Sequence, residues 1–109
     1  MANTFKLKTK ANVGVTTVGI YTAPAATTTV VIGITLANTS GSGVNVGVGI
    51  TRAGTTEDVK LLKNAPIPQG SSLEFMAGNK VVLQTTDTLT VDSDTNNSVD
   101  ASLTIMEIT

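Results

Sequence analysis

An antiparallel two-sheet β-sandwich is the fold class that this chain predicts, and three observations predict it. Threonine is the commonest residue and valine is abundant. Both are stiff at χ1 and suit a pleated strand. Apolar residues alternate with polar ones at period two along most of the chain, and no stretch carries a convincing helical period. Turn signals recur about every 8–12 residues, the spacing of an all-β domain. The 109 residues suit a single domain, residues 1–109, because a chain of this length has room for one core.

The strands follow in chain order. Phe5 and Leu7 alternate with Lys6, Lys8 and Lys10, which predicts an edge strand blunted by its lysines. Val18 and Ile20 lead through Tyr21 to a turn at Pro24. Val30, Ile32, Ile34 and Leu36 form the inward face of a long strand. Asn38-Thr39-Ser40-Gly41-Ser42-Gly43 is a strong turn signal. Val44, Val46, Val48 and Ile50 then form the inward face of the next strand, and the two read as a hairpin. Val59 and Leu61 mark a shorter strand. Pro66 and Pro68 argue for an extended crossing segment. Leu73 with Phe75, a turn at Ala77-Gly78-Asn79, Val81 to Leu83, and Leu89 with Val91 come next. A polar loop from Asp92 to Ser98 precedes Val99, Ala101, Leu103 and Ile105. Roughly seven to nine strands result. A jelly roll is the alternative sandwich, though it needs about eight strands and usually a longer chain.

Composition narrows the function. Charged residues make up 14% of the chain against about 25% in an average soluble domain, so part of the surface is expected to be covered in the working state. A net charge of −1 leaves no basic excess to neutralise phosphates, and no nucleic-acid partner is expected. There is no cysteine and no histidine. That removes disulfides, thiolate metal sites, the commonest general base and the commonest transition-metal ligand. The N-terminal segment lacks the apolar block of a signal peptide. Val30 to Ala37, interrupted by Gly33 and Thr35, is too short to span a bilayer. A soluble protein made in a cytoplasm, with no membrane partner, is expected.

Two features point to contacts with other proteins. With Val30, Ile32, Ile34 and Leu36 inward, the opposite parity carries Val31, Gly33 and Thr35 on one strand and Asn45, Gly47 and Gly49 on the next. This outward face is small and uncharged. Glycine is kept in strands where another surface approaches closely, so these six positions form the expected docking face; a tolerated surface or a bulge is the alternative reading. Lys6, Lys8 and Lys10 are the expected polar edge contacts. Charge is also segregated. Lys6, Lys8, Lys10 and Arg52 lie early, whereas Asp87, Asp92, Asp94, Asp100 and Glu107 lie late. Pairing within the fold is expected; complementing another copy is the alternative.

The residues of catalysis are missing. A nucleophilic triad has no base, and no serine sits in a recognisable nucleophile context. Asp92-Ser93-Asp94-Thr95-Asn96 matches the start of a calcium loop, but Asn97 stands where glycine is needed and Leu103 where glutamate is needed. The loop reads as a self-capping turn. Phe5 and Phe75 fall on inward parity, leaving Tyr21 as the one aromatic available to a sugar. No catalysis, cofactor, metal or small-molecule substrate is expected.

Tyr21-Thr22-Ala23-Pro24-Ala25-Ala26-Thr27-Thr28-Thr29, then Val31-Ile32-Gly33 and Leu36-Ala37-Asn38-Thr39-Ser40, together with Pro66 to Ser72, Asp87-Thr88-Leu89 and Leu103 to Ile108, give the chain a further character. It resembles small virion structural proteins of tailed bacteriophages, especially those of marine cyanobacteria. The resemblance covers most of the chain and lies in short strings and texture. It implies an Ig-like sandwich present in many copies on a virion, with other virion proteins or further copies of itself as partners. The expected role is a capsid decoration or cement protein docking on a repeating lattice. A neck, tail or fibre protein and a host-surface binding module are the alternatives.

Overall fold

The computed structural model describes residues 3–75 and 80–109, with Phe75 placed by its backbone alone. The expected turn at Ala77-Gly78-Asn79 and the facing of the Phe75 side chain lie outside the described residues. Among the described residues there are nine strands: β1 (Asn3–Val13), β2 (Val18–Thr22), β3 (Thr28–Asn38), β4 (Val44–Arg52), β5 (Glu57–Ile67), β6 (Ser72–Phe75), β7 (Val81–Leu83), β8 (Asp87–Ser93) and β9 (Val99–Ile108). Every expected strand is present. The fifth is longer than Val59 and Leu61 suggested and runs through Pro66, which pairs across from Asn45. An edge strand tolerates the missing N–H.

The strands pair as nested hairpins. β4 pairs with β5, β3 with β6 and β7, β2 with β8, and β1 with β9, all antiparallel. Successive pairs fall in alternate sheets. One sheet runs β1-β9-β3-β6, with β7 also on β3; the other runs β2-β8-β4-β5. We call them the β1 sheet and the β2 sheet. β6 and β7 lie one after the other along the same side of β3. Counted together they give the jelly-roll order. The Ig-like order is not adopted, since that order keeps the first two strands paired in one sheet, whereas β1 and β2 lie in opposite sheets.

The same topology corrects the hairpin expected from β3 and β4. The turn from Asn38 to Gly43 crosses between sheets instead. Asn38 organises it from a buried position. Its Nδ2 donates to the Ser42 and Ile67 carbonyls at 2.8 and 3.0 Å, and its Oδ1 accepts from the Ser40 N–H and Oγ at 2.9 and 2.8 Å. A fully satisfied side chain of this kind holds an irregular crossing that has no ladder of its own.

One core fills the space between the sheets. The β1 sheet contributes Val31, Ile34, Leu36, Leu83, Leu103 and Ile105; the β2 sheet contributes Val46, Val48, Leu89 and Val91. Each such side chain adds about 1.5–3 kcal/mol through burial. Along β3 the inward residues are Val31, Ile34 and Leu36, not Val30 and Ile32. The register explains the change. Val31 faces Ile105 and Gly33 faces Thr104, so Ile32 is one extra residue on β3. A bulge of this kind flips the alternation that follows it.

Candidate docking face

Cross-strand partners share a face, so the register lays out the outer surface of the β1 sheet row by row. Phe5 pairs with Met106, Met106 with Val30, and Val30 with Val82. This apolar row crosses the whole sheet on its solvent side; Phe5 is 69% and Val82 51% exposed. Leu7, 66% exposed, belongs to the next row with Thr104 and Gly33. Farther along come Thr9, Ser102, Thr35 and Glu74, then Asp100, Ala37 and Ser72. Among the described residues, the outward strand positions of this face thus include two acids, Asp100 and Glu74, and no cation. Its second half holds a shallow groove of 290 Å³ lined by Thr9, Lys10, Ala11, Ala37, Asp100 and Ser102 among others.

The outer surface of the β2 sheet differs. Asn45, Gly47, Gly49 and Thr51 alternate against Asp92, Thr90, Lys60 and Asp58. Lys60 lies 3.8 Å from Asp92, and Thr17 Oγ1 donates to Asp92 at 3.0 Å. A cleft of 190 Å³ lined by Thr17, Gly49, Asp58, Lys60 and Thr90 lies here, and its cation is engaged by Asp92. This is an ordinary solvated sheet face, whereas exposed apolar side chains gathered on one face mark an interaction surface.

The six expected docking positions do not form one face. Val31 is wholly buried in the core because the bulge turned it inward. Gly33 and Thr35 are half-buried on the outer surface of the β1 sheet. Asn45, Gly47 and Gly49 lie on the far side of the sandwich, on the β2 sheet. Gly47 and Gly49 have the expected parity but are covered by their own neighbours. A Cβ at Gly49 would stand 2.8 Å from the Val59 carbonyl oxygen, and one at Gly47 would stand 2.5 Å from Asp92 Oδ1. Their smallness serves the close approach of β5 and of the Asp92 side chain.

Lys6, Lys8 and Lys10 do lie on an edge strand, but on the inward parity, opposite Ile105, Leu103 and Ala101 of β9. β2, the facing edge of the other sheet, is only five residues long, so β1 overhangs and its lysines reach solvent with their stems along the edge. That overhang sends Phe5 outward, contrary to expectation, while Tyr21 is buried. Phe5, Leu7, Val30, Met106 and Val82 are therefore the face residues that sequence reasoning missed. Their signal was the Phe5-Lys6-Leu7-Lys8 alternation, read in the opposite phase.

Of the segregated charges, two pairs meet within the fold. Lys6 Nζ lies 2.9 Å from Glu107 Oε1, and Arg52 Nε donates to Asp87 Oδ1 at 3.3 Å. Glu107 is also the centre of a buried clamp joining the sheets. Tyr21 of β2 donates its hydroxyl to Glu107 Oε2 at 2.6 Å and lies 2.7 Å from Thr29 Oγ1. The phenol has one proton, so Thr29 is the donor in the second bond. Bonds from Tyr21 and then Lys6 hold the Glu107 carboxyl below its ordinary value. Burial, then the bond to Glu107, pushes the Tyr21 phenol up to about 12. In the Asp92 loop the carboxylates point apart: Asp92 toward Thr17 and Lys60, Asp94 toward the Asn45 N–H. Ser93 and Ser98 bond to each other at 2.6 Å and close the loop from inside.

No family model matches the chain, and no curated protein matches it either. Among solved structures, the fold matches a chain from Bacillus endospore appendages, described as a novel family of disulfide-linked pili. The TM-score is 0.57, with 16% identity over 99% of this chain and 87% of that chain. Likeness at that identity establishes the shared sandwich fold.

Proposed function

We propose that this chain is a non-enzymatic structural subunit that works by docking the outer face of its β1 sheet against other protein surfaces in a repetitive assembly. The contrast between the two sheet faces carries the reading: one solvated and charged, the other crossed by the apolar row Phe5–Met106–Val30–Val82. The assembly in this proposal is a phage virion, on which the chain decorates or cements the head lattice. The resemblance of its short strings to those of phage structural proteins supports it, as does the jelly-roll order, a frequent choice for capsid domains. Each contact is modest, and repetition on the lattice supplies avidity.

A second reading, a subunit of a surface appendage, is favoured by the likeness to the appendage chain. Those pili are described as disulfide-linked; a chain without cysteine would have to assemble through non-covalent faces alone. Quantitative mass spectrometry of particles and fibres purified from producing cells tests both. Many copies per particle are expected. Recovery in fibres selects the second reading, and recovery only among unassembled soluble proteins overturns both.

A further inference from the structure

The outer face of the β1 sheet is uneven along its strands. The half around Phe5, Leu7 and Val82 carries large side chains that project into solvent. The middle of the other half carries small ones, and there the groove lies between Thr9, Ala11, Ala37 and Ser102, with Lys10, Asp100 and Glu74 around it. We infer that the partner of this face is a second copy of the chain, packed face to face about a two-fold axis that lies in the interface and crosses the strands. The inference rests on the docking-face reading above.

Such an axis reverses strand direction between the copies while keeping β1 over β1. The projecting half of each copy then lies over the groove of the other: with the axis passing at Leu7, the Phe5 row lies over the Thr9–Ser102 row and the Asn3 end of β1 over Ala11, twice, once in each direction. That reciprocity is what an isologous interface requires. The charges agree. Asp100 lies in the groove half, and Glu74 is beside it in the Thr9–Ser102–Thr35 row. Reversal places the acids of the two copies at opposite ends of the interface, and Glu74 on the edge strand and Asp100 at the start of β9, both exposed, stay at its rim; a copy stacked in the same direction would bring the acidic rows together and bulk against bulk. The area also suffices. Four strands about 4.8 Å apart and about 36 Å long present about 700 Å², close to the roughly 800 Å² per partner of a stable interface.

The chain has no cysteine, so single-cysteine variants give an unambiguous test. Asn3→Cys and Ala11→Cys place one thiol at each end of β1 on this face and leave the projecting side chains in place. With a short bismaleimide, a mixture of the two variants is expected to give cross-linked dimers while each variant alone does not. Light scattering of the wild-type chain is expected to give twice the mass of one chain. Leu7→Glu and Ala37→Arg are expected to be monomeric while keeping the wild-type circular dichroism spectrum and a cooperative, somewhat earlier melt, and Thr51→Arg on the β2 sheet is expected to remain dimeric. A monomer at every concentration, an oligomer other than a dimer, or cross-linking of each variant to itself but not in the mixture overturns the inference. If the chain is abundant in particles yet monomeric when purified, the dimer fails and the assembly reading stands. If it dimerises but is absent from every assembly, the reverse holds.

Discussion

Glu107 holds the two sheets together at one end of the sandwich, and its titration has a definite sign. Its folded value lies below the ordinary one. The ionised carboxylate therefore adds stability that is fully present above the ordinary carboxylate range and is lost as pH falls through the folded value. Tyr21, pushed up to about 12, acts at the other limb: its contribution is complete below about pH 10 and is lost as pH rises through its folded value. Urea midpoints at pH 7 and pH 3 are expected to differ less in Glu107→Gln than in the wild type; an equal difference would show that the acid limb arises elsewhere. Backbone strain supplies a second case. Thr86 is exposed and has φ of 73°, a left-handed conformation that a β-branched residue adopts at a cost of about 1–2 kcal/mol. Asparagine tolerates that region, so Thr86→Asn is expected to stabilise by about 0.5 kcal/mol, read as a higher melting temperature. A lower one would mean that the Thr86 hydroxyl, bonded to the Thr85 carbonyl, outweighs the strain.

At the scale of the strands, two glycines with the same sequence appearance have opposite meanings. A Cβ at Gly33 meets nothing within 4 Å, whereas one at Gly49 would crowd the Val59 backbone carbonyl at 2.8 Å. Gly49→Ala is expected to cost about 1–3 kcal/mol as β5 is pushed away, while Gly33→Ala leaves urea stability nearly unchanged. Equal effects would mean that β5 does not approach β4 as closely as this register requires. Both glycines stand in valine-rich strands, so the difference was not legible in the sequence: β5 bulges over Gly49 between Val48 and Gly49, and only the pairing partner shows that. The strands themselves were legible. Their alternation located all nine, because the period reports local half-burial whatever the strand pairs with.

Across the whole molecule, nesting ties the first strand to the last. β1 lies against β9, so the outermost pair forms only when the chain ends meet. Non-local pairing of this kind slows folding, and a single core couples the sheets. Refolding is expected on the millisecond-to-second scale typical of β-sandwiches. Equilibrium unfolding curves from circular dichroism and from fluorescence of Tyr21, the one tyrosine in a chain without tryptophan, are expected to coincide. Separate transitions would show that the two sheets come apart independently.

What the amino-acid sequence specified was the β class, the position of each strand and a composition without histidine or cysteine. Those follow from local properties: χ1 stiffness, alternation and turn residues. It did not specify which sheet each strand joins, and so it read β3 and β4 as one hairpin when they face each other across the core. Nor did it specify phase. Alternation states that one side of a strand is apolar; whether that side meets the core depends on a partner sheet lying beneath it. Over β1 the facing strand β2 is short, so Phe5 and Leu7 face solvent and the lysines take the inward parity. Along β3 one extra residue, Ile32, put Val31 in the core and left Val30 on the outer face. Sheet membership, overhang and bulge are properties of distant segments brought together, and the face proposed for docking exists only after that assembly.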